Sequence, residues 1–518
     1  HWRDVALPYD TVVGMRLFGD VPESGILRPL DPSKVSEESG ALMRQYLFDT
    51  AEEYIATLEE DERVHPEADL ILEETQKAID LGLLGPLVDK AYFDAKYGKG
   101  RWRPLPRHIV HQRDKDRPID DGKAGAQNIS SKLRETIVTQ ATEYVALTAT
   151  SYSRRVVKLA GGRLPIWVIL AQGLDDQWKG YRQDHPHPDD APLCIITFVH
   201  PILRRRVYCE AYGMLFGLAS AVNQFNRAPY LVTAVLRRMF AMLSGHYFDD
   251  TAQVELRCLA AHTKGLFCRI VTRFGIVLSP SKRKRIETTQ HFLGASNDLS
   301  RLQTDQAVVF GPKLGGRQEI TAAIATFRAK RRVTSGDASS FRGRSQWLDS
   351  QLSGRPCRGA FSALIARQYY ESTDKITPDL DFSLDCIGCA VTHMPARYIH
   401  VMPSCRTPVV VYSDCATYGP TGLRIGIIVI HRTGTFVFSV DPPKAFIDTW
   451  LPRETYINLG ELAAGPIAAS VFPKLLANED VIWFVDNTAA LAALIHRAAK
   501  VTDLNTLALV FGLAVTAM

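Results

Sequence analysis

The chain has 518 residues, of which 46% are hydrophobic and 23% charged, an ordinary composition for a soluble globular protein. Its length predicts several domains. No apolar run reaches the roughly 18 residues of a membrane-spanning helix, and no signal peptide is visible, so we expect no membrane partner. Nine scattered cysteines argue against a disulfide framework and favour an intracellular protein, cytoplasmic or nuclear.

The net charge is only +5, but it is unevenly distributed. The first 100 residues hold 10 basic and 21 acidic side chains, residues 101–370 hold 41 and 21, and residues 371–518 hold 10 and 14. A basic central region suits nucleic-acid binding, because Lys and Arg neutralise backbone phosphates. For any single basic run, a solvated surface is an equally good interpretation.

Residues 1–100 form an acidic region without a chemical motif. Apolar residues recur at helical spacing over residues 37–60 and 67–84, and Pro86 and Gly98 interrupt the pattern. We therefore expect an acidic helical N-terminal region. Because the chain begins with His1 rather than Met, we also expect that further sequence precedes it.

Three acids follow short predicted strands in the central region. The apolar residues 168–170 lead to Asp175 and Asp176, and a strand that ends in an aspartate places its carboxylate at a sheet edge. Further on, Tyr247-Phe248-Asp249-Asp250 follows an apolar run and precedes a polar one, a pattern that predicts a β-hairpin with two carboxylates at its tip.

Adjacent carboxylates repel each other unless a cation lies between them, so these residues predict a divalent metal site. Asp176, Asp249 and Asp250 together could hold two ions roughly 3.5–4 Å apart, the arrangement used for in-line phosphoryl transfer. Mg²⁺ is the expected ion, because it prefers oxygen ligands and substrate phosphates. The alternative is that the acidic pair is a solvated loop, since short strings of this kind arise by chance.

Six segments within residues 101–300 resemble motifs of the reverse transcriptases of retroelements, in the same order. They are residues 115–122 with Asn128; Asp176 with Tyr181 five residues later; residues 215–221, including Phe216 and Gly217; residues 247–250; residues 274–282, ending at Lys282; and the primer-grip-like residues 291–294. Each is weak evidence alone, whereas the ordered set is specific. The chain thus resembles a retrotransposon reverse transcriptase, part of a retroelement polyprotein.

The resemblance implies roles for side chains around the three aspartates. Lys115 and Arg117 would supply positive charge for the incoming triphosphate. The ring of Tyr181 would lie under the sugar and exclude a 2′-hydroxyl. Gly217 would allow close backbone approach to template and nucleotide, and the adjacent Phe216 would lie in the substrate site. Lys282 would protonate the leaving pyrophosphate.

A second set of acids follows predicted strands near the C-terminus. Asp414 ends the run 409–414, Asp486 ends the run 481–486, and Glu461 lies in a helical segment between them. Two further strands lie at 423–430 and 435–440, and an alanine-rich helix follows at 488–499. This order of three strands, helix, strand and helix resembles the RNase H fold.

The RNase H resemblance implies that Asp414, Glu461 and Asp486 coordinate metal, with as many as two further Mg²⁺ ions. The family's fourth acid lacks a clear counterpart, because Asp503 comes too early, at the close of the preceding helix. We therefore expect a C-terminally truncated domain and do not predict full ribonuclease activity. The alternative is a structural α/β domain in which these aspartates merely end strands.

Together these patterns predict an α+β multidomain protein with four regions. They are an acidic helical region (1–100), right-hand polymerase fingers and palm (101–300), thumb, connection and linker (301–405), and an RNase H-like α/β domain (406–518). Pro378, Pro395 and Pro403 indicate that residues 371–405 are the linker. The predicted function is RNA-directed DNA polymerase, with an RNA template, a DNA primer, RNA–DNA hybrid and deoxynucleoside triphosphates as partners. A domesticated or decayed copy that binds nucleic acid without catalysis is the alternative, and Tyr181 disfavours an RNA-dependent RNA polymerase.

Overall fold

The computed structural model describes residues 2–112, 115–403, 406–418 and 422–517, with the backbone alone at positions 112, 115 and 517. The α-helices in these residues are α1 (Leu7–Val13), α2 (Gly40–Asp49), α3 (Ala51–Glu60), α4 (Ala68–Asp80), α5 (Lys90–Tyr97), α6 (Tyr144–Leu159), α7 (Ala219–Phe240), α8 (Ala260–Arg273), α9 (Arg301–Thr304), α10 (Gly316–Lys330), α11 (Ser335–Asp349), α12 (Phe361–Tyr369), α13 (Pro378–His393), α14 (Lys444–Ile447), α15 (Ile457–Val471), α16 (Pro473–Leu476), α17 (Thr488–His496) and α18 (Thr502–Ala517). None of the helices described here combines the length and apolar character needed to cross a membrane.

The β-strands in the same residues are β1 (Gly19–Asp20), β2 (Arg28–Pro29), β3 (Pro104–Gln112), β4 (Lys115–Asp120), β5 (Ser131–Lys132), β6 (Glu135–Thr136), β7 (Leu170–Asp176), β8 (Ile195–Val199), β9 (Arg206–Glu210), β10 (Leu243–Tyr247), β11 (Asp250–Leu256), β12 (Thr289–Phe292), β13 (Ala295–Asp298), β14 (Ala307–Pro312), β15 (Arg397–His400), β16 (Val409–Ala416), β17 (Arg424–His431), β18 (Gly434–Val440) and β19 (Val481–Phe484).

The chain divides into two compact units, each with its own sheets and cores. The first contains His1–Tyr144 and Ala171–Glu287, and the second contains Val145–Leu170 and Thr288–Met518. The fold is therefore mixed α and β with more than one unit, while the predicted division into four regions stays a prediction.

Two sheets organise the first unit, with strand orders β4-β3-β8-β9 and β10-β11-β7. Every residue of β8 is buried, which is typical of an interior strand with apolar side chains on both faces. Helices α7 and α8 pack together through a buried cluster that includes Val232, Leu236 and Phe267. This packing fixes the hairpin of β10 and β11 beside β7.

The N-terminal region belongs to the core of the first unit. Its predicted helix 37–60 is two helices, α2 and α3, and Leu17 and Leu47 lie in the same buried cluster as Phe225 of α7. Asp4 accepts hydrogen bonds from Nε and the terminal nitrogen of Arg227 on α7, at 2.7 and 2.8 Å, and both residues are buried. The acidic region is thus part of the folded first unit.

A buried ion network lies at the end of β4. Asp120 accepts two hydrogen bonds from Arg107, at 2.8 and 3.1 Å, and one from Arg182 at 3.3 Å. All three side chains are less than one-tenth exposed, and Arg107 also donates to the Thr75 hydroxyl. Since two buried guanidinium groups depend on one carboxylate, the network holds the end of β4 to its neighbours.

The second unit begins with a helical cluster around Phe341, Leu364 and Ile387. The segment 371–405, which we expected to be a linker, is helical over α13. Pro378 occupies the first turn of this helix, where a missing N–H costs nothing, and the Thr377 side chain caps it. Proline here begins a helix rather than marking a connection.

A four-stranded sheet in the second unit has the order β18-β17-β16-β19. Strands β16, β17 and β18 are antiparallel, and β19 runs parallel to β16. Val411, Ile427 and Leu462 of α15 share one core. The predicted succession of three strands, helix, strand and helix is present, and the last of these helices ends at His496 rather than at residue 499.

Replacing Asp120 with Asn tests the buried network. We expect the unfolding free energy of the first unit to fall by about 3–5 kcal/mol, because two buried arginines lose their compensating charge. Urea denaturation measures the effect. Asp121→Asn, at the next position, keeps the oxygen that accepts from Lys123 and Ala124 amides and should change stability by less than about 1 kcal/mol; equal losses in both variants would contradict this account.

Candidate functional site

Two of the predicted metal ligands lie at the tip of the hairpin formed by β10 and β11. Tyr247 pairs with Asp250, so Phe248 and Asp249 form a two-residue turn. Phe248 has a φ of 52°, the positive value that the first residue of a type II′ turn requires. A bulky residue in this region costs roughly 1–2 kcal/mol, so the fold holds a strained backbone next to the two carboxylates.

The third predicted ligand, Asp176, ends β7, which lies beside β11. Burial raises the pKa of Asp250 to about 6, and the charges of Asp249 and Asp176, with a hydrogen bond to Asp176, add to the rise. Burial also raises the pKa of Asp249, and the charge of Asp176 adds to it. The three carboxyl groups are therefore mutually repelling neighbours at one sheet edge.

The ligand oxygens of Asp176, Asp249 and Asp250 do not all lie within 4.8 Å of one another. In the residues that the structure describes, a set of three metal-ligating side chains with all ligand atoms within 4.8 Å occurs only in the second unit. The set at the hairpin nevertheless suits a divalent cation, because a cation there would offset the burial and the repulsion that raise the pKa of Asp249 and Asp250.

Asp175, the sequence alternative to Asp176, has a different partner. Lys264 Nζ lies 2.5 Å from Asp175 Oδ2 and 3.1 Å from the Leu174 carbonyl oxygen. Burial raises the pKa of Asp175, and Lys264 opposes the rise. Asp176 is thus the acid of this pair that interacts with the two aspartates of the hairpin. Sequence reasoning missed Lys264, which lies on α8, 89 residues from its partner.

Lys282 reaches the same site from the segment after α8. The Ser279 N–H donates to the Asp176 carbonyl oxygen at 2.8 Å, which places this segment beside the end of β7. Lys282 Nζ lies 2.5 Å from Asp176 Oδ2, and its side chain is 52% exposed. Proton donation to pyrophosphate stays a prediction, and it requires the ammonium group to leave Asp176, which its exposure permits.

The predicted nucleotide-binding side chains surround the hairpin. The ring of Tyr181 stacks on Phe225 with centroids 4.6 Å apart and lies 5.1 Å from the ring of Phe216. Arg117 is close enough to Asp249 for its charge to lower the pKa of that carboxyl group, and Arg117 Nε is buried without a hydrogen-bond partner. The Lys115 side chain lies outside the described residues.

Gly217 has a structural requirement that the sequence did not reveal. Its φ is 107°, and a Cβ atom there would lie 2.0 Å from the carbonyl oxygen of Asp120. Asn128 reinforces this contact, since its side chain donates to the Gly217 carbonyl oxygen and accepts from the Ala219 N–H. The close approach that the structure shows is to Asp120, and the approach to template and nucleotide stays a prediction.

The second set of predicted ligands converges more tightly. The ligand atoms of Asp414, Glu461 and Asp486 all lie within 4.8 Å of one another. Tyr412 of β16 pairs with Phe484 of β19, and each aspartate lies two residues beyond its strand's member of that pair. Parallel pairing therefore brings the two aspartates to the same edge of the sheet.

Glu461 reaches this edge from α15. Its Oε1 accepts a hydrogen bond from the Cys415 N–H at 2.8 Å. Burial raises the pKa of Glu461, the Cys415 hydrogen bond opposes the rise, and the hydrogen bond and charge of Asp414 add to it. Three crowded carboxyl groups, among them Glu461 with its raised pKa, fit a divalent cation.

Asp503 does not join this set. We had expected Asp503 at the close of the preceding helix, but it lies at the start of α18. Burial raises the pKa of Asp503, but hydrogen bonds from the Leu451 N–H and from Arg453 together lower it by more. The pKa of Asp503 therefore lies below its ordinary value. Asp503 is thus a structural anion, paired with Arg453.

No family model matches the chain, and no curated protein matches it. The solved structures that align with it include three complexes of a foamy viral protease-reverse transcriptase. The foamy viral protease-reverse transcriptase dRH with double-stranded DNA has a TM-score of 0.45 and 15% identity, and the foamy viral protease-reverse transcriptase with double-stranded DNA has 0.46 and 14%. The latter protein with RNA/DNA hybrid has 0.42 and 13%.

These alignments cover 83%, 83% and 93% of this chain, and 65%, 77% and 62% of the viral chains, respectively. The chain thus spans less than two thirds of the length of two of them. At these TM-scores and identities, the similarity assigns neither a family nor an activity to the chain.

Removing one charge at the hairpin should stabilise the metal-free protein. The pKa of Asp250 in the folded protein lies above its ordinary value of 3.8, so its ionised form opposes folding at neutral pH. Asp250→Asn should therefore raise the unfolding free energy at pH 7.5 by roughly 1–3 kcal/mol. The gain should disappear near pH 3, where the carboxyl group is protonated in both states.

Urea denaturation without divalent cations at the two pH values measures this gain. Asp69→Asn, at an exposed site in the same unit, is the control and should give none. A loss of stability in Asp250→Asn at pH 7.5 would contradict the raised pKa of Asp250, whose causes are burial and the neighbouring carboxylates.

Mn²⁺ binding tests the set in the second unit, in a protein that carries Asp249→Asn and Asp250→Asn to remove the hairpin site. Loss of residues that merely support a ligand costs about 10–100-fold in metal affinity, so adding Asp486→Asn should weaken Mn²⁺ binding at least tenfold. Electron paramagnetic resonance of free Mn²⁺ gives the affinity. Asp503→Asn is the matched control, and an equal effect of both changes would rule out a specific site.

Proposed function

We propose that this chain is an RNA-directed DNA polymerase of a retroelement, with a palm formed by the three-stranded sheet of the first unit. The observation that supports this most directly is the meeting of Asp176 and Asp250 beside Asp249, at a strained two-residue turn. Mg²⁺ held by these carboxylates would neutralise charge on the reacting phosphates. The ordered sequence motifs support the same function.

The reaction would join the primer 3′-oxygen to the α-phosphorus of a deoxynucleotide as the bond to pyrophosphate breaks. Arg117, next to Asp249, would bind the triphosphate, because its guanidinium offers several donors in a fixed geometry. Lys282 would give a proton to the leaving pyrophosphate. The Tyr181 ring, fixed by Phe216 and Phe225, would exclude a 2′-hydroxyl.

Primer extension on an RNA template tests the proposal. The unaltered protein should incorporate deoxynucleotides in a Mg²⁺-dependent reaction, and Asp249→Asn should lower the rate at least about a hundredfold, since charge stabilisation dominates phosphoryl transfer. Asp69→Asn is the control for loss of one surface carboxylate. Salt-sensitive duplex binding without extension would favour the decayed copy, and efficient ribonucleotide use would favour an RNA polymerase.

A second activity is favoured by the close set of Asp414, Glu461 and Asp486. We infer a metal-dependent nuclease of RNase H type that hydrolyses the RNA strand of an RNA–DNA hybrid. The convergence of three carboxylates from two parallel strands and a helix is the supporting observation. Cleavage of a labelled hybrid by the Asp249→Asn protein, and its loss on adding Asp486→Asn, separates this activity from polymerisation.

A further inference from the structure

A basic cavity of about 840 Å³ lies within the second unit, away from the three carboxylates. Its polar and charged lining residues are Arg154, Lys158, His400, Arg406, Asn478 and Asp480. They come from three parts of the chain: helix α6, the end of β15 with the segment that follows it, and the connection from α16 to β19. We call this feature the basic cavity.

Three permanent cations face one carboxylate in the basic cavity. Arg154 and Lys158 lie four residues apart, on one side of α6. Arg154 Nε donates to the Val401 carbonyl oxygen at 2.7 Å, and Arg406 donates to the Asn478 carbonyl oxygen at 3.1 Å. The bond to Val401 positions the Arg154 guanidinium group, and a carbonyl oxygen does not neutralise its charge.

The basic cavity lies at the opposite end of the sheet from the metal-binding carboxylates. The Asp480 carbonyl oxygen accepts from the Val409 N–H, where β16 begins. Asp414 lies five residues further along that strand, which corresponds to about 17 Å at ~3.3 Å per residue.

We infer that the basic cavity binds phosphate groups of a nucleic-acid backbone, an inference that rests on the proposed function. Arg154 and Lys158 on α6, with Arg406 on a second segment, suit a ligand with more than one phosphate, and His400 is the one aromatic ring among the lining side chains named above. With one phosphate per ~3.4 Å along a strand, the cavity contacts a strand at least about five nucleotides from the carboxylates. It therefore anchors the substrate independently of sequence.

Binding of a 20-base-pair RNA–DNA hybrid over a series of salt concentrations tests this inference. Each lost phosphate contact should lower the salt slope by about 0.9, so Arg154→Ala with Lys158→Ala should lower it by about two, with at least tenfold weaker binding at low salt. The matched control is Arg155→Ala with Arg163→Ala, which removes equal charge from exposed positions outside the cavity lining. Equal effects of the two pairs would overturn the inference.

Asp480→Asn gives a test that misfolding cannot imitate. Removing the carboxylate of the basic cavity should tighten hybrid binding about threefold, and unchanged or weaker binding would contradict the inference. Four-nucleotide oligomers should compete poorly, because they are too short to reach from the carboxylates to the cavity. If millimolar inorganic phosphate displaces the hybrid as well as long oligomers do, the site binds free phosphate instead.

Primer extension distinguishes this inference from the proposed function. Failure of the cavity variants to alter binding, while Asp249→Asn abolishes extension, would reject the basic cavity and leave the polymerase intact. Absence of extension by the unaltered protein would reject the polymerase, whatever the cavity binds.

Discussion

Repulsion between carboxylates at strand ends is the interaction on which both candidate sites depend. In the first unit, Asp176 and Asp250 are brought together by neighbouring strands, and the turn that presents Asp249 requires a left-handed phenylalanine. A protein would gain stability by replacing either feature. Retention of both is expected where a cation or a reacting group repays the cost.

The two units hold their crowded carboxylates in place with different kinds of partner. At the hairpin, the partly buried Lys264 forms an ion pair with the neighbouring Asp175, and the half-exposed Lys282 forms one with Asp176. In the second unit, the Cys415 N–H is the donor to Glu461 that holds the carboxylate from the helix against the strand. Lysine side chains thus support the carboxylates of the first site, and a backbone N–H supports the carboxylate of Glu461 in the second.

Local patterns in the sequence predicted the residues of both sites. The hairpin around residues 247–250, the acid that ends β7 and the order of elements around Glu461 all depend on short-range periodicity and turn chemistry, which a single sequence records. The Asp120 network could not be found in this way, because Arg182 is 62 residues distant. The packing of Gly217 against the Asp120 carbonyl oxygen could not be predicted either, because the sequence does not record which residues are neighbours in space.

Prolines in the segment 371–405 indicated a linker, yet Pro378 starts α13. A proline breaks a helix only when an N–H is needed, and the first turn needs none. The cations of α6 were also overlooked, since Arg154 becomes part of a cavity only through carbonyl groups some 247 residues away.

The pairing of Arg227 with Asp4 and Asp10 bears on how far the chain can be shortened. The recognisable motifs begin after residue 101, and a gene shortened to that point would retain α7 while discarding the two anions that neutralise its buried guanidinium group. Such a protein would carry an unpaired interior charge together with the exposed apolar surface left by Leu17 and Leu47. The acidic leading residues therefore act as a built-in folding partner, and boundaries drawn from motifs alone would yield insoluble protein.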